Sequence, residues 1–166
     1  MENLLKELID ILENQANLYK SLQSVLTAEK NAVVGAKLDA LNDARLRKES
    51  IVSSIHVGEK KRIDIIDKIC DYLKCPSQGM TLNQLAQRIT SPYSMKLIQY
   101  AKEISSIVED IHQKNELNKS LLMHSLELVR SSIDLLVQMM TPSPVYFHTG
   151  KMYQGEICGA VLSSNV

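Results

Sequence analysis

Residues 5–33 read LKELIDILENQANLYKSLQSVLTAEKNAV. Along this stretch Leu5, Leu8, Leu12, Gln15, Tyr19, Leu22, Leu26, Glu29 and Val33 follow one another at steps that alternate three and four. Such spacing lays a narrow apolar seam along a helix, as in coiled-coil packing. It predicts one helix from about Glu2 to Val34, stopped by a left-handed Gly35. Ala44, Lys48, Ile51, Ile55, Gly58, Arg62, Ile65, Ile69 and Tyr72 repeat the pattern. They predict a second helix from Asp39, its N-cap, to Leu73. Cys75-Pro76 ends it, because the residue before a proline resists the helical region. A connection this short makes the two helices antiparallel neighbours. Pairing Leu8 with Ile69, Leu12 with Ile65, Leu22 with Ile55 and Leu26 with Ile51 also sets Leu5 against Tyr72. In that register Gln15 faces Arg62, Glu29 faces Lys48, and the bulky Tyr19 lies opposite Gly58. A slip of one heptad would set Glu29 against Ile55 or Leu41, so turn and polar layers select the same register.

Downstream, Thr81-Leu-Asn-Gln84 has the form of a capping box and predicts a short helix to about Ile89. Ser91-Pro92 predicts the start of a third long helix, with Ser91 as N-cap and proline at the first helical position. No proline interrupts it before Pro142. Its seam is Leu97, Ala101, Ile104, Val108, Ile111, Asn115, Asn118, Leu122, Ser125, Val129, Ser132, Leu136 and Met139. At about 1.5 Å per residue it spans roughly 70 Å against about 50 Å for the hairpin arms. From Leu121 to Met140 only a thin polar line remains, formed by Ser120, His124, Glu127, Ser131, Asp134 and Gln138. A helix covered on one side should be polar over much of the other, so this segment implies a partner. The expected fold is all-α: three long helices, with an antiparallel coiled-coil-like hairpin plus a longer third helix, a short connector helix and an irregular C-terminal tail. The helical bundle domain covers residues 1–140 (hairpin 2–74, connector 75–91, third helix 92–140), and the irregular tail covers 141–166.

Composition narrows the function. Lys and Arg number 19, as do Asp and Glu, so no basic excess exists to hold nucleic acid. No apolar run is long enough to insert in a membrane. The first residues, Met-Glu-Asn-Leu-Leu-Lys-Glu, lack a basic start and a cleavage site, which gives a cytoplasmic expectation. Cys70, Cys75 and Cys158 form no CxxC pair, so neither a zinc site nor a disulfide frame is expected. His56, His112, His124 and His148 have no ligand at helical spacing. With no phosphate-cradling loop and no nucleophile–base pattern, the chain reads as a non-enzyme without cofactors.

The layers Gln15/Arg62 and Glu29/Lys48 read as register-fixing positions, as do Asn115 and Asn118 in the third seam. Met123, Met139, Met140 and Met152 suit an adaptable contact surface. The order Leu4-Leu5-x-x-Leu8, Tyr19-x-x-Leu22, Glu29, Lys48 with Ile51 and Val52, and Arg62 with Ile65 and Ile66 leads to Asn115-x-x-Asn118-x-x-Leu121-Leu122-x-x-x-Leu126. A helix end and a tail with Tyr146 and Gly150 follow. Over residues 1–150 this order resembles the FlgN-like family of flagellar type III export chaperones. The resemblance implies a cytoplasmic helical chaperone that keeps hook-associated proteins unassembled until export. It implies that the C-terminal region holds the client's terminal helix and meets the export apparatus. The expected partner-binding residues are Leu121, Leu122, Leu126, Leu128, Leu135, Met139 and Tyr146. The alternative is a structural coiled-coil adaptor, a homo-oligomer that dimerises through its C-terminal helix.

Overall fold

A computed structural model describes residues 1–89, 92–140, 145–146 and 152–153. Among the described residues the protein is all-α apart from one minimal strand pair. Helix α1 spans Glu2–Val34, α2 Leu38–Leu73, α3 Leu82–Arg88 and α4 Tyr93–Met140. The chain forms two compact units, Met1–Leu122 and Met123–Val166, whose boundary falls inside α4. Among the described residues no helix is long and apolar enough to cross a membrane.

In the first unit, α1 and α2 form the antiparallel hairpin. Leu8, Leu12, Leu26 and Ile69 are almost fully buried along its seam. Each such side chain contributes roughly 1.5–3 kcal/mol through its removal from water. The core is thickest at the open end, where Leu85 and Ala86 of α3 and Leu97 of α4 join Leu5, Leu8, Ile9, Leu12, Ile65, Ile66, Ile69 and Cys70. The capping box places α3 there. Thr81 Oγ1 accepts from the Gln84 N–H at 3.2 Å, and Gln84 Oε1 accepts from the Thr81 N–H at 3.0 Å. Helix α4 then runs parallel to α1. In order along both, Tyr93 donates to Glu2, Lys20 pairs with Glu103, Gln23 donates to Asp110, and Asn118 donates to the Leu26 carbonyl.

Several local expectations change. Gly35 has φ −83°, and the left-handed residue is Ala36 at φ 49°. The Ala36 and Lys37 N–H groups reach back to the Val33 and Ala32 carbonyls at 3.1 and 2.9 Å, the paired bonds of a Schellman end. Lys37, rather than Asp39, is the N-cap of α2, and Asp39 lies in the first turn, where its charge favours the helix dipole. Tyr72 is 64% exposed, and Ile66 and Cys70 take up burial at that end. A strict heptad drifts around a straight helix, and α3 with the start of α4 covers the flank that carries Ile66 and Cys70. Gly58 is approached by Gln15 instead of Tyr19: a Cβ at Gly58 would lie 3.5 Å from Gln15 Cγ. On α4, Ile107 is buried and the seam residue Val108 is exposed. The first helical residue there is Tyr93, after Pro92, and Ser91 lies outside the described residues.

The second unit holds the C-terminal part of α4 and a short antiparallel pair, β1 (Val145–Tyr146) with β2 (Met152–Tyr153). Val145 pairs with Tyr153 and Tyr146 with Met152. The sequence predicts an irregular tail here. Gly150 and Cys158 lie outside the described residues.

Candidate functional site

Two polar clusters cross the first unit. In the larger one, Lys48 of α2 donates to both Glu29 oxygens of α1 at 3.3 and 3.2 Å, and to Asn115 Oδ1 of α4 at 2.9 Å. Asn118 Nδ2 donates to Glu29 Oε2 and to the Leu26 carbonyl, both at 2.8 Å. Glu29 and Asn118 are buried, and three helices meet through their side chains. The sequence pattern supplied Glu29 and Lys48 as one layer and the two asparagines as another. The structure merges them, because α4 lies parallel to α1 with Asn118 beside the last turns of that helix. A buried carboxylate is tolerated when cations and donors surround it.

The second cluster differs from the expected direct contact of Gln15 with Arg62. Glu59 stands between them: it accepts from Gln15 Nε2 at 3.0 Å and from Arg62 Nε at 2.9 Å, with a further bond from the guanidinium. The Arg62 hydrogen bond holds the Glu59 carboxyl below its ordinary value, against a smaller opposing effect of burial. Burial raises the Tyr19 hydroxyl pKa, and the nearby Glu59 charge adds to the rise. These groups line one wall of a cleft of about 520 Å³ whose other walls include Met80, Leu82 and Ile104. Glu59 carries no seam signal, since it lies between Gly58 and Arg62 on the flank.

The expected partner-binding residues fall into two environments. Leu121 and Leu122 belong to the first unit and are half-buried. Leu126, Leu128, Leu135 and Met139 belong to the second unit and are exposed, from 57% at Leu126 to 83% at Met139. Tyr146 lies in β1. By helical spacing, Leu128, Leu135 and Met139 share one stripe, which also passes through Leu121. Leu126, Val129, Ile133, Leu136 and Met140 form a second stripe beside it, and all of these are exposed as well. The second stripe continues, at steps of three and four, the line of Leu97, Ile104, Ile111, Asn118 and Leu122 that meets the hairpin in the first unit. The sequence pattern points to Leu126 and to Met140 as contact residues but not to Val129, Ile133 and Leu136, although its seam runs through Val129 and Leu136. The arrangement offers no reactive group. Its chemistry is that of a helical surface ready to bury apolar side chains.

The FlgN protein family model matches residues 1–154. No curated protein and no solved structure shows significant similarity to the chain.

Proposed function

Since the chain belongs to the FlgN family of flagellar export chaperones, we propose that it binds the amphipathic terminal helices of hook-associated proteins through the C-terminal part of α4. Chaperones of this family bind flagellar proteins and are not enzymes. The observation that carries the finer reading is the run from Leu126 to Met140, where two adjacent apolar stripes are exposed on a continuous helix. A client helix with its own apolar stripe would lie along it, in the manner of helix-in-groove recognition. The Met residues at 123, 139 and 140 can adjust to clients of different shape. Capture keeps the client's assembly surface from pairing with other copies and leaves it ready for export in the cytoplasm. Binding of this kind needs no nucleotide.

The test is calorimetric titration with the terminal segment of a hook-associated protein. The triple variant Leu128→Asp, Leu135→Asp, Met139→Asp is designed to leave Leu121 in place, because that residue is half-buried in the first unit. Each Asp sets a charge in an apolar contact at a cost of at least about 2 kcal/mol, so affinity should fall by a hundredfold or more. Circular dichroism should show an unchanged helix content. Undiminished affinity in the folded variant removes this face as the client site. Light scattering of the free protein separates the adaptor reading, which requires a dimer that the same variant dissolves.

A further inference from the structure

Cys70 and Cys75 are five residues apart, a spacing that on a continuing helix would point them in different directions. The end of α2 changes this. Lys74 has φ 54° and ψ 44°, so the chain reverses after Leu73. Two backbone bonds fix the reversal: the Lys74 N–H donates to the Asp71 carbonyl at 3.2 Å, and the Cys75 N–H donates to the Cys70 carbonyl at 3.0 Å. These are the bonds of a Schellman end, in which the first and sixth residues bring their side chains together. Cys70 is fully buried in the core cluster, and Cys75 is half-buried and packed against that cluster. Backbone atoms bonded this closely leave the two Cα atoms roughly 5–6 Å apart, inside the range of about 4.4–6.8 Å that a disulfide accepts. Both thiols are free.

We propose that Cys75 is a modification site for low-molecular-weight disulfides and that Cys70 resolves the adduct, leaving a Cys70–Cys75 bridge across the end of α2. In the first step the Cys75 thiolate attacks one sulfur of the reagent, the reagent's S–S bond breaks, and one thiol leaves with a proton from solvent. In the second step Cys70 gives its proton to solvent and attacks the Cys75 sulfur, and the second thiol leaves. Two protein thiols are oxidised and one disulfide is reduced to two thiols. The order follows from access. Cys75 is the reachable thiol, while Cys70 is sealed by Leu and Ile side chains and reacts only with a neighbour already in place. Burial, with the Cys75 thiol beside it, pushes Cys70 up to about 11. Burial persists once Cys75 carries the adduct, so the Cys70 thiolate is scarce at neutral pH and the second step is slow there. The bridge would fix the turn by which α2 hands the chain to α3 and the core around Leu85 and Leu97.

The experiment treats the reduced full chain with oxidised glutathione and follows intact mass and peptide maps over time. An adduct at Cys75 should appear first. It should give way to a chain lighter by two hydrogens, with Cys70 and Cys75 joined in one peptide. Closure should quicken steadily between about pH 7 and 9, as the Cys70 thiolate fraction rises. Cys70→Ala should accumulate the adduct without closing. Cys75→Ser, at a half-buried position, should form neither product and keep its fold. A stable adduct in the unaltered chain, a bridge through Cys158, or an unreactive Cys75 each overturns the proposal.

Discussion

The two parts of α4 carry similar apolar side chains and use them differently. Between Tyr93 and Leu122 the helix buries Leu97 and Ile107 and anchors itself with Asn118. Between Met123 and Met140 it exposes Leu126, Leu128, Val129, Ile133, Leu135 and Leu136. The line that meets the hairpin in the first part continues at the same steps through the second. Exposure here is therefore a matter of what lies opposite the helix, not of a change in its own pattern. The first part packs Leu97, Ile98 and Ile104 into the core cluster and adds polar contacts to the hairpin. Besides the Glu29 cluster, Lys20 pairs with Glu103 at 2.7 Å, and Gln23 donates to Asp110 at 2.7 Å. Such contacts fix position well but contribute little net energy where water reaches them.

A charge placed on each side of this division gives the largest expected contrast. Leu12→Asp buries a carboxylate among Leu8, Ile65 and Ile69 and should cost more than about 4 kcal/mol, enough to unfold much of the chain. Leu128→Asp should leave the thermal midpoint nearly unchanged, because Leu128 is 69% exposed. Equal losses in thermal denaturation would erase the distinction. Next comes Lys48→Met, which strands the buried Glu29 carboxylate and should cost roughly 3 kcal/mol by urea denaturation. Adding Glu29→Leu should recover part of the loss but not all, because Asn118 then lacks one of its two acceptors. Full recovery would mean that α4 plays no part in the cluster. Asn118→Leu should cost about 2 kcal/mol, since the Leu26 carbonyl and Glu29 Oε2 each lose a buried donor, although Lys48 still reaches that oxygen. Hydrogen exchange should then quicken in the first part of α4 while the hairpin seam stays protected.

A smaller effect concerns acid. The folded Glu59 carboxyl titrates below its ordinary value through Arg62. Its contribution is complete above the unfolded value near 4.5 and is lost as pH falls through the lower folded value. Glu59→Gln should flatten that part of the stability–pH curve, and an unchanged acid limb would count against the Arg62 contact. The smallest change is at the hairpin turn. Ala36→Gly relieves a left-handed alanine and should stabilise by about 1 kcal/mol. It touches only the hairpin, so client affinity should stay the same. A shift in affinity would show coupling between the turn and the exposed face.

The three long helices were legible because seams at steps of three and four persist for many turns and prolines mark the breaks. The Glu29–Lys48 layer was legible because only one register joins opposite charges near a short turn. What escaped the sequence came from third bodies. Tyr72 lost its place in the core to Ile66 and Cys70, which a two-helix seam cannot foresee once α3 packs on the flank. Glu59 entered the Gln15–Arg62 layer from beside the seam. The left-handed position moved from Gly35 to Ala36, because the turn's bonds to Ala32 and Val33 outweigh the glycine preference. The exposed face was legible as a surplus of apolar residues, but Val129 and Leu136 read as seam positions that something should cover, and their exposure follows only from the structure.

The parallel course of α1 and α4 has a consequence in time. The hairpin closes through contacts such as Glu29 with Lys48, which are 19 residues apart. Asn118 must instead find a carbonyl 92 residues earlier in the chain. Loop closure of that length is slow to be rewarded. During synthesis the hairpin is complete before Asn118 exists, and α4 settles onto a finished platform. The apolar run from Leu126 to Met140 is made after its anchor at Asn118, so the nascent chain shows its stickiest surface only when the rest of the first unit can already be in place.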